Sequence, residues 1–80
     1  MHFVYVLKSV TENWVYVGMT RNVTKRICLH NKGKVKSTRA KRPFKLIYKE
    51  NCEDSKEARK REKYFKNNAG KEYLKRKGLL

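Results

Sequence analysis

The stretch Phe3-Val4-Tyr5-Val6-Leu7, followed after a polar interval by Trp14-Val15-Tyr16-Val17-Gly18, decides the fold. Its aromatic and β-branched residues favour extended backbone. Between the two runs, Ser9-Val10-Thr11-Glu12-Asn13 is turn-like, so they are expected to pair as an antiparallel hairpin. Alternation puts Trp14, Tyr16 and Gly18 on one face of the second strand and Val15 and Val17 on the other. Apolar side chains on both faces imply a central sheet with helices against each side. Tyr5 and Tyr16, on neighbouring strands, are expected to lie close together across the pair.

Downstream of the hairpin, Asn22 is an N-cap and Gly33 a stop for a helix. On it Val23, Arg26, Ile27 and His30 share one face, so two polar side chains sit beside an apolar stripe. Such local conflicts mark candidate sites. Lys32 to Arg42 is a basic loop without an acid, carrying Lys32, Lys34, Lys36, Arg39, Lys41 and Arg42, and Pro43 closes it. Phe44 to Tyr48 reads as a third strand, with Asn51-Cys52-Glu53 as a connector. Asp54-Ser55-Lys56-Glu57 has capping-box spacing and opens a helix running to about Asn67. Its inward stripe is Ala58 and Phe65, extended by Ala69, and Glu62 lies on the same stripe. Gly70 is expected to break the pattern, leaving Lys71 to Lys77 as a short last helix ended by Gly78. The order is ββαβαα: one small α/β (α+β) domain over residues 1–80.

Charge then bounds the partner. The 80 residues hold 22 Lys or Arg against 7 Asp or Glu, a formal net charge of +15. That density of one sign attracts polyanions, so nucleic acid leads as the partner. With 39% hydrophobic residues the chain is too apolar for a disordered basic tail. Cys28 and Cys52 are isolated, which excludes a four-thiolate zinc site and a disulfide framework and points to a reducing, cytoplasmic setting. The apolar run near the N-terminus is too short for a signal sequence or a membrane span. No membrane partner is expected, and a monomer or weak oligomer is.

Acids are scarce enough to assign one by one. None lies between Glu12 and Glu50, a span with eleven Lys or Arg residues. Asp54 and Glu57 read as capping residues, and Glu50 and Glu53 as solvated strand-end charges. Glu62 differs, because a carboxylate on an apolar stripe must be paired, hydrogen-bonded or metal-bound. Its ordinary reading is an ion pair with a neighbouring Arg; its functional reading is a ligand for a divalent cation. Arg26 and His30, four residues apart on a helix face, offer a phosphate-neutralising cation and a proton carrier. Their ordinary reading is a carboxylate-bound Arg and a His ring at the edge of the core. Tyr5 and Tyr16 are ordinary core phenols, or, among cations, phenols with lowered pKa that accept protons. Trp14 reads as core rather than as a base-stacking platform.

The arrangement Val4-Tyr5-Val6, then Tyr16-Val17-Gly18, then Arg26, resembles the GIY-YIG nuclease superfamily. So do His30-Asn31-x-Gly33, Arg42-Pro43-Phe44-Lys45-Leu46-Ile47-Tyr48 and the Glu57-Ala58-x-x-Arg61-Glu62-Lys63 helix. The likeness covers the whole chain and is to small stand-alone members; relatives include homing endonucleases, some restriction enzymes and the N-terminal domain of the repair subunit UvrC. It implies a three-stranded antiparallel sheet and metal-dependent hydrolysis of DNA phosphodiesters. In that likeness Tyr16 helps deprotonate the attacking water and Arg26 stabilises charge on the scissile phosphate. Glu62 holds a single Mg²⁺ or Mn²⁺, Tyr5 orients nucleophile or phosphate, and His30 takes part in proton transfer. Phe3 replaces the first Gly of the family pattern, and Met19 stands where the repair subunit carries a Lys near the catalytic Tyr. No residue is assigned to an Asn found late in some relatives.

Three outcomes follow from this sequence. The first is a DNA endonuclease of low specificity, acting on branched, nicked or duplex DNA in repair or recombination, with the basic loop holding phosphates. The second is a nucleic-acid binder on the same scaffold without turnover; a ribosome- or RNA-associated protein is a weaker third.

Overall fold

The computed structural model describes residues 1–80. Three strands, β1 (His2–Ser9), β2 (Val15–Thr20) and β3 (Phe44–Cys52), form one antiparallel sheet in the order β2-β1-β3. The helices are α1 (Val23–Asn31), α2 (Ser55–Lys66) and α3 (Asn68–Arg76). The expected ββαβαα order and α/β class are therefore observed.

β1 is central and covered on both faces, which explains its unbroken apolar run: Val4, Tyr5, Val6 and Leu7 are all buried. The sheet separates two cores. Val4, Val6, Val17, Cys52, Ala58, Phe65 and Leu74 pack on the α2–α3 side. Tyr5, Leu7, Val23 and Phe44 pack on the α1 side, with Trp14, Tyr16 and Ile27 against them. The two faces of β2 are thus as expected, with Val15 and Val17 on one side and Trp14 and Tyr16 on the other. In the hairpin turn, Ser9 Oγ accepts from the backbone of Thr11 and Glu12 at 3.3 and 3.2 Å, satisfying donors the strands leave free.

Helix ends follow their sequence signals. Asn22 and Asp54 accept from the backbone N–H three residues on, Lys25 at 3.0 Å and Glu57 at 2.8 Å. At the end of α1, Gly33 N–H donates to His30 O and Lys34 N–H to Leu29 O, a Schellman closure that needs the positive φ of 77° at Gly33.

Three expectations are corrected. The third strand does not stop at Tyr48 but continues to Cys52, because β1 pairs with it along its whole length, His2 opposite Cys52. Gly70 does not break a helix; it is a buried residue inside α3, where the missing side chain lets α3 approach the Tyr64 carbonyl and Phe65 Cα. Ala69 is exposed, and Leu74 with Gly70 takes its inward place. The chain turns at Asn67, whose extended backbone ends α2 and opens α3.

Candidate active site

Tyr5 lies opposite Gly18 in the β1–β2 register, and Tyr16 lies opposite Leu7. A Cβ at Gly18 would sit 2.6 Å from the Tyr5 hydroxyl and 2.9 Å from Tyr16 Cε2, so glycine opens the space in which both rings meet. Their centroids are 6.2 Å apart. His30, delivered by the last turn of α1, lies 4.9 Å from the Tyr16 ring, centroid to centroid, and bonds to Tyr5.

The hydrogen bonds fix the state of His30. Thr38 Oγ1 donates to Val35 O at 3.3 Å, so its oxygen is left to accept from His30 Nδ1–H at 2.8 Å. Nε2 is then the bare nitrogen, and it accepts the Tyr5 hydroxyl proton at 3.0 Å. His30 is fully buried, and burial, with the Arg26 charge second, lowers its pKa. The Tyr5 pKa moves up to about 12: burial dominates, Arg26 opposes it, and the charges of Tyr16 and Glu62 add to the rise. The expectation of a lowered phenol pKa therefore fails for Tyr5, because removal from water outweighs one nearby cation. Tyr5 is a neutral donor at neutral pH.

Arg26 sits one helical turn before His30, near enough to the phenols, Tyr5 above all and Tyr16 less, for them to raise its pKa against the effect of burial. Tyr16 is half-buried whereas Tyr5 is 1% exposed, so of the two only Tyr16 can meet a substrate in solvent. Tyr5, Tyr16, Arg26 and His30 thus form one cluster on the α1 side of the sheet.

Glu62 comes from α2, near enough for its charge to act on Tyr5. Its expected partner, a neighbouring Arg, is engaged elsewhere. Arg61 binds Glu50 through both Nε and Nη2 and stacks on the rings of Tyr64 and Phe65 at 4.7 and 5.0 Å. Glu50 is accordingly no solvated strand-end charge. Burial would raise its pKa, but the hydrogen bonds from Arg61 and Tyr48 outweigh burial and hold it below the usual carboxylate range. Glu62 keeps only Lys66 Nζ, at 3.8 Å, with its side chain 21% exposed. It is a carboxylate with free coordinating capacity facing water.

The basic loop is more ordered than its composition suggests. Arg39 Nε donates to Gly33 O at 3.0 Å and Arg42 Nη1 to Arg39 O at 3.0 Å. Lys41 pairs with Glu12 at 2.8 Å. Lys32, Lys34 and Lys36 are exposed, and the loop offers these three unengaged ammonium groups beside three partly engaged cations. Sequence reasoning misses two residues. Thr38 is fully buried and sets the His30 tautomer. Asn31 pins the end of α1 to β3 by accepting from Phe44 N at 2.7 Å and donating to Phe44 O at 3.2 Å. A Thr in a basic loop and an Asn at a helix end are visible in the sequence, but nothing local says where they point.

The buried neutral imidazole predicts a pH dependence of stability. Unfolded His30 takes up a proton below its ordinary value of 6.5, which the folded ring resists. Its contribution is therefore fully present above pH ~6.5 and lost as pH falls below it. The urea midpoint is expected to fall between about pH 7.5 and about pH 5.5, with a flatter profile in His30→Gln. Identical slopes in both proteins would contradict a neutral buried ring.

No helix is long and apolar enough to cross a membrane. The family model described as GIY-YIG catalytic domain matches residues 1–76. A UPF0213 protein of Clostridium perfringens is 46% identical over 67 residues, covering 82% of this chain and 71% of that protein. The UPF0213 protein YazA of Bacillus subtilis is 42% identical over 66 residues, 81% of this chain and 66% of its own length. A UPF0213 protein of Staphylococcus haemolyticus is 40% identical over 75 residues, 92% and 90% of the two chains. No solved structure matches. The paired tyrosines, the match over nearly the whole chain and the similarity to these small proteins place the chain in the GIY-YIG catalytic domain family, a family of nuclease domains.

Proposed function

We propose that this chain is a divalent-metal-dependent DNA endonuclease of low sequence specificity, directed by DNA structure and serving repair or recombination in the cytoplasm. The observation that carries the reading is Glu62, a half-buried carboxylate that pairs with no guanidinium, its neighbour Arg61 being held by Glu50, and whose charge reaches Tyr5 of the tyrosine–arginine–histidine cluster.

The donor set suits Mg²⁺ or Mn²⁺ in a sparse mode. No group of three His, Cys, Asp or Glu side chains gathers anywhere in the chain. Mg²⁺ tolerates this, since it retains waters and takes oxygens from substrate phosphate in place of a protein cage. Glu62 would hold the ion, which when bound supplies Lewis-acid stabilisation of the negative charge that grows at phosphorus.

The chain's own residues divide the remaining tasks. Arg26 neutralises the non-bridging oxygens of the scissile phosphate, a role suited to a partly buried guanidinium close to both phenols. Tyr16 helps deprotonate the attacking water. Tyr5 and His30 pack against the Tyr16 ring; His30, out of contact with water, keeps the Tyr5 proton directed at its Nε2. The loop lysines Lys32, Lys34 and Lys36, with Arg39, Lys41 and Arg42 behind them, hold the flanking phosphates.

Arg26→Ala is expected to lower the cleavage rate by about 10²–10³-fold. Tyr16→Phe is expected to lower it by about 10²–10⁴-fold. Both variants should retain DNA binding in EDTA, measured by fluorescence anisotropy. Cleavage at wild-type rate by both would remove the site from the mechanism. About six phosphate contacts give binding a log–log salt slope of roughly −5 on duplex DNA. The single-carboxylate donor set favours one second reading, a DNA binder without turnover. That reading predicts binding in EDTA and no product from nicked, branched or flapped DNA when Mg²⁺ or Mn²⁺ is added.

A further inference from the structure

One residue of the basic loop points inward. From Lys32 to Arg42 every residue is exposed or half-buried except Thr38, which is 0% exposed. A hydroxyl removed from water needs partners. Thr38 finds them in Val35 O, to which it donates at 3.3 Å, and in His30 Nδ1, from which it accepts at 2.8 Å. The loop has its own ties besides: Thr38 N–H donates to Val35 O, Lys41 N–H to Thr38 O and Arg39 Nε to Gly33 O. Its course does not depend on the hydroxyl, so the contact with His30 is what the hydroxyl adds.

The hydrogen bonds through this contact run in one direction. A carbonyl only accepts, so each proton along Tyr5, His30 and Thr38 points toward Val35. Tyr5 spends its proton on His30 Nε2 and keeps its lone pairs for a donor. Arg26 only donates, and it is near enough for Tyr5 to be the main cause of its raised pKa. The opposite tautomer would invert the arrangement. With the proton on Nε2, the ring would donate to the Tyr5 oxygen, and the phenol would turn its own proton outward, against the cation. His30 and Thr38 are both 0% exposed, so water does not replace the hydroxyl as the acceptor at Nδ1.

We propose that Thr38 is a positioning residue of the site, acting through His30 to hold the Tyr5 hydroxyl in the orientation that leaves its oxygen open to Arg26. The loop that holds phosphates and the cluster that faces the scissile phosphate are thereby set as one unit. The effect on cleavage rests on the endonuclease reading; the effect on His30 does not. Thr38, buried behind His30, meets no substrate, so its loss lowers the rate of cleavage and not the affinity for DNA.

The test compares wild type, Thr38→Val, which has the shape without the hydroxyl, and Thr38→Ser, which restores the hydroxyl. The His30 tautomer is read from long-range ¹H–¹⁵N NMR spectra, with His2→Gln to separate the signals of the two histidines. The wild type is expected to carry its proton on Nδ1, and Thr38→Val to shift it toward Nε2. Single-turnover cleavage in Mg²⁺ should fall about 10–100-fold in Thr38→Val, with duplex binding in EDTA unchanged. Thr38→Ser should recover both tautomer and rate. A proton on Nε2 in the wild type overturns the proposal without any variant having to fold. An unchanged tautomer or rate in Thr38→Val, with only a lower melting temperature, reduces Thr38 to a packing residue and overturns it too, as does a Thr38→Ser protein that recovers neither. A tautomer shift in Thr38→Val with no product from the wild type supports the hold of Thr38 on His30 and counts against the nuclease reading.

Discussion

Glu62→Gln is expected to reduce Mg²⁺-dependent cleavage by about 10³-fold or more while leaving the protein folded and able to bind DNA. The size follows from the scarcity of acids. Seven carboxylates are distributed over 80 residues, and the structure uses the others near the site elsewhere. Glu50 is locked to Arg61, Glu12 to Lys41, and Asp54 caps α2. No group of three His, Cys, Asp or Glu side chains gathers elsewhere to take over an ion, so under the proposed role the loss of this carboxylate would remove the protein's hold on it. The structural cost is small, because the only partner is the exposed Lys66 ammonium at 3.8 Å, and such solvent-screened pairs contribute about 0–1 kcal/mol. Gln keeps the shape and removes the charge, so a fall in rate with an unchanged melting temperature separates a ligand from a strut. If excess Mn²⁺ restored full rate to Glu62→Gln, a weakened site would be indicated; full rate at the same Mg²⁺ concentration as the wild type would exclude Glu62 as the ligand.

Gly70→Ala is the largest effect expected on stability, with a sign opposite to helix propensity. On an exposed helix this change stabilises by about 1 kcal/mol. Here the new Cβ would fall inside the Tyr64 carbonyl oxygen and Phe65 Cα, both backbone atoms at the end of α2, just before the turn into α3. Backbone cannot rotate aside as a flexible side chain does, so α3 must lift from α2. That would disturb Leu74 and Phe65, both fully buried. The cost is expected at about 3 kcal/mol or more. An 80-residue domain has a total stability of about 4–12 kcal/mol. At ~4–8 °C per kcal/mol for a domain of this size, the melting temperature should fall by at least about 12 °C. Melting at or above the wild-type temperature would contradict the close approach of the two helices.

The same two residues mark the boundary of what spacing alone makes legible. Glu62 stands out in the sequence because period 3.6 sets it between Ala58 and Phe65, and helix faces follow directly from that period. Whether an Arg satisfies it is not legible. The answer depends on Glu50, eleven positions from Arg61 and on another element, and only the β3–α2 packing decides between them. Gly70 misleads because a Gly within a helical pattern signals a stop locally, while close helix approach is a tertiary reason to keep it. β3 reads short because Lys49, Glu50 and Asn51 interrupt an apolar pattern; pairing with β1 overrides that weak propensity. The hairpin and both caps are legible because their signals are local. The state of Tyr5 is not, since the balance between burial and the Arg26 charge has no expression in spacing.

The central claim is that these 80 residues cut DNA through Tyr16, Arg26 and Glu62. It is tested most directly by single-turnover cleavage of one nicked and flapped DNA by the wild type and by Tyr16→Phe, Arg26→Ala and Glu62→Gln, purified side by side. Product is predicted from the wild type in Mg²⁺ or Mn²⁺, none in EDTA, and rates at least about 10²-fold lower from each variant. No product from the wild type with either metal, or full activity in all three variants, would contradict it.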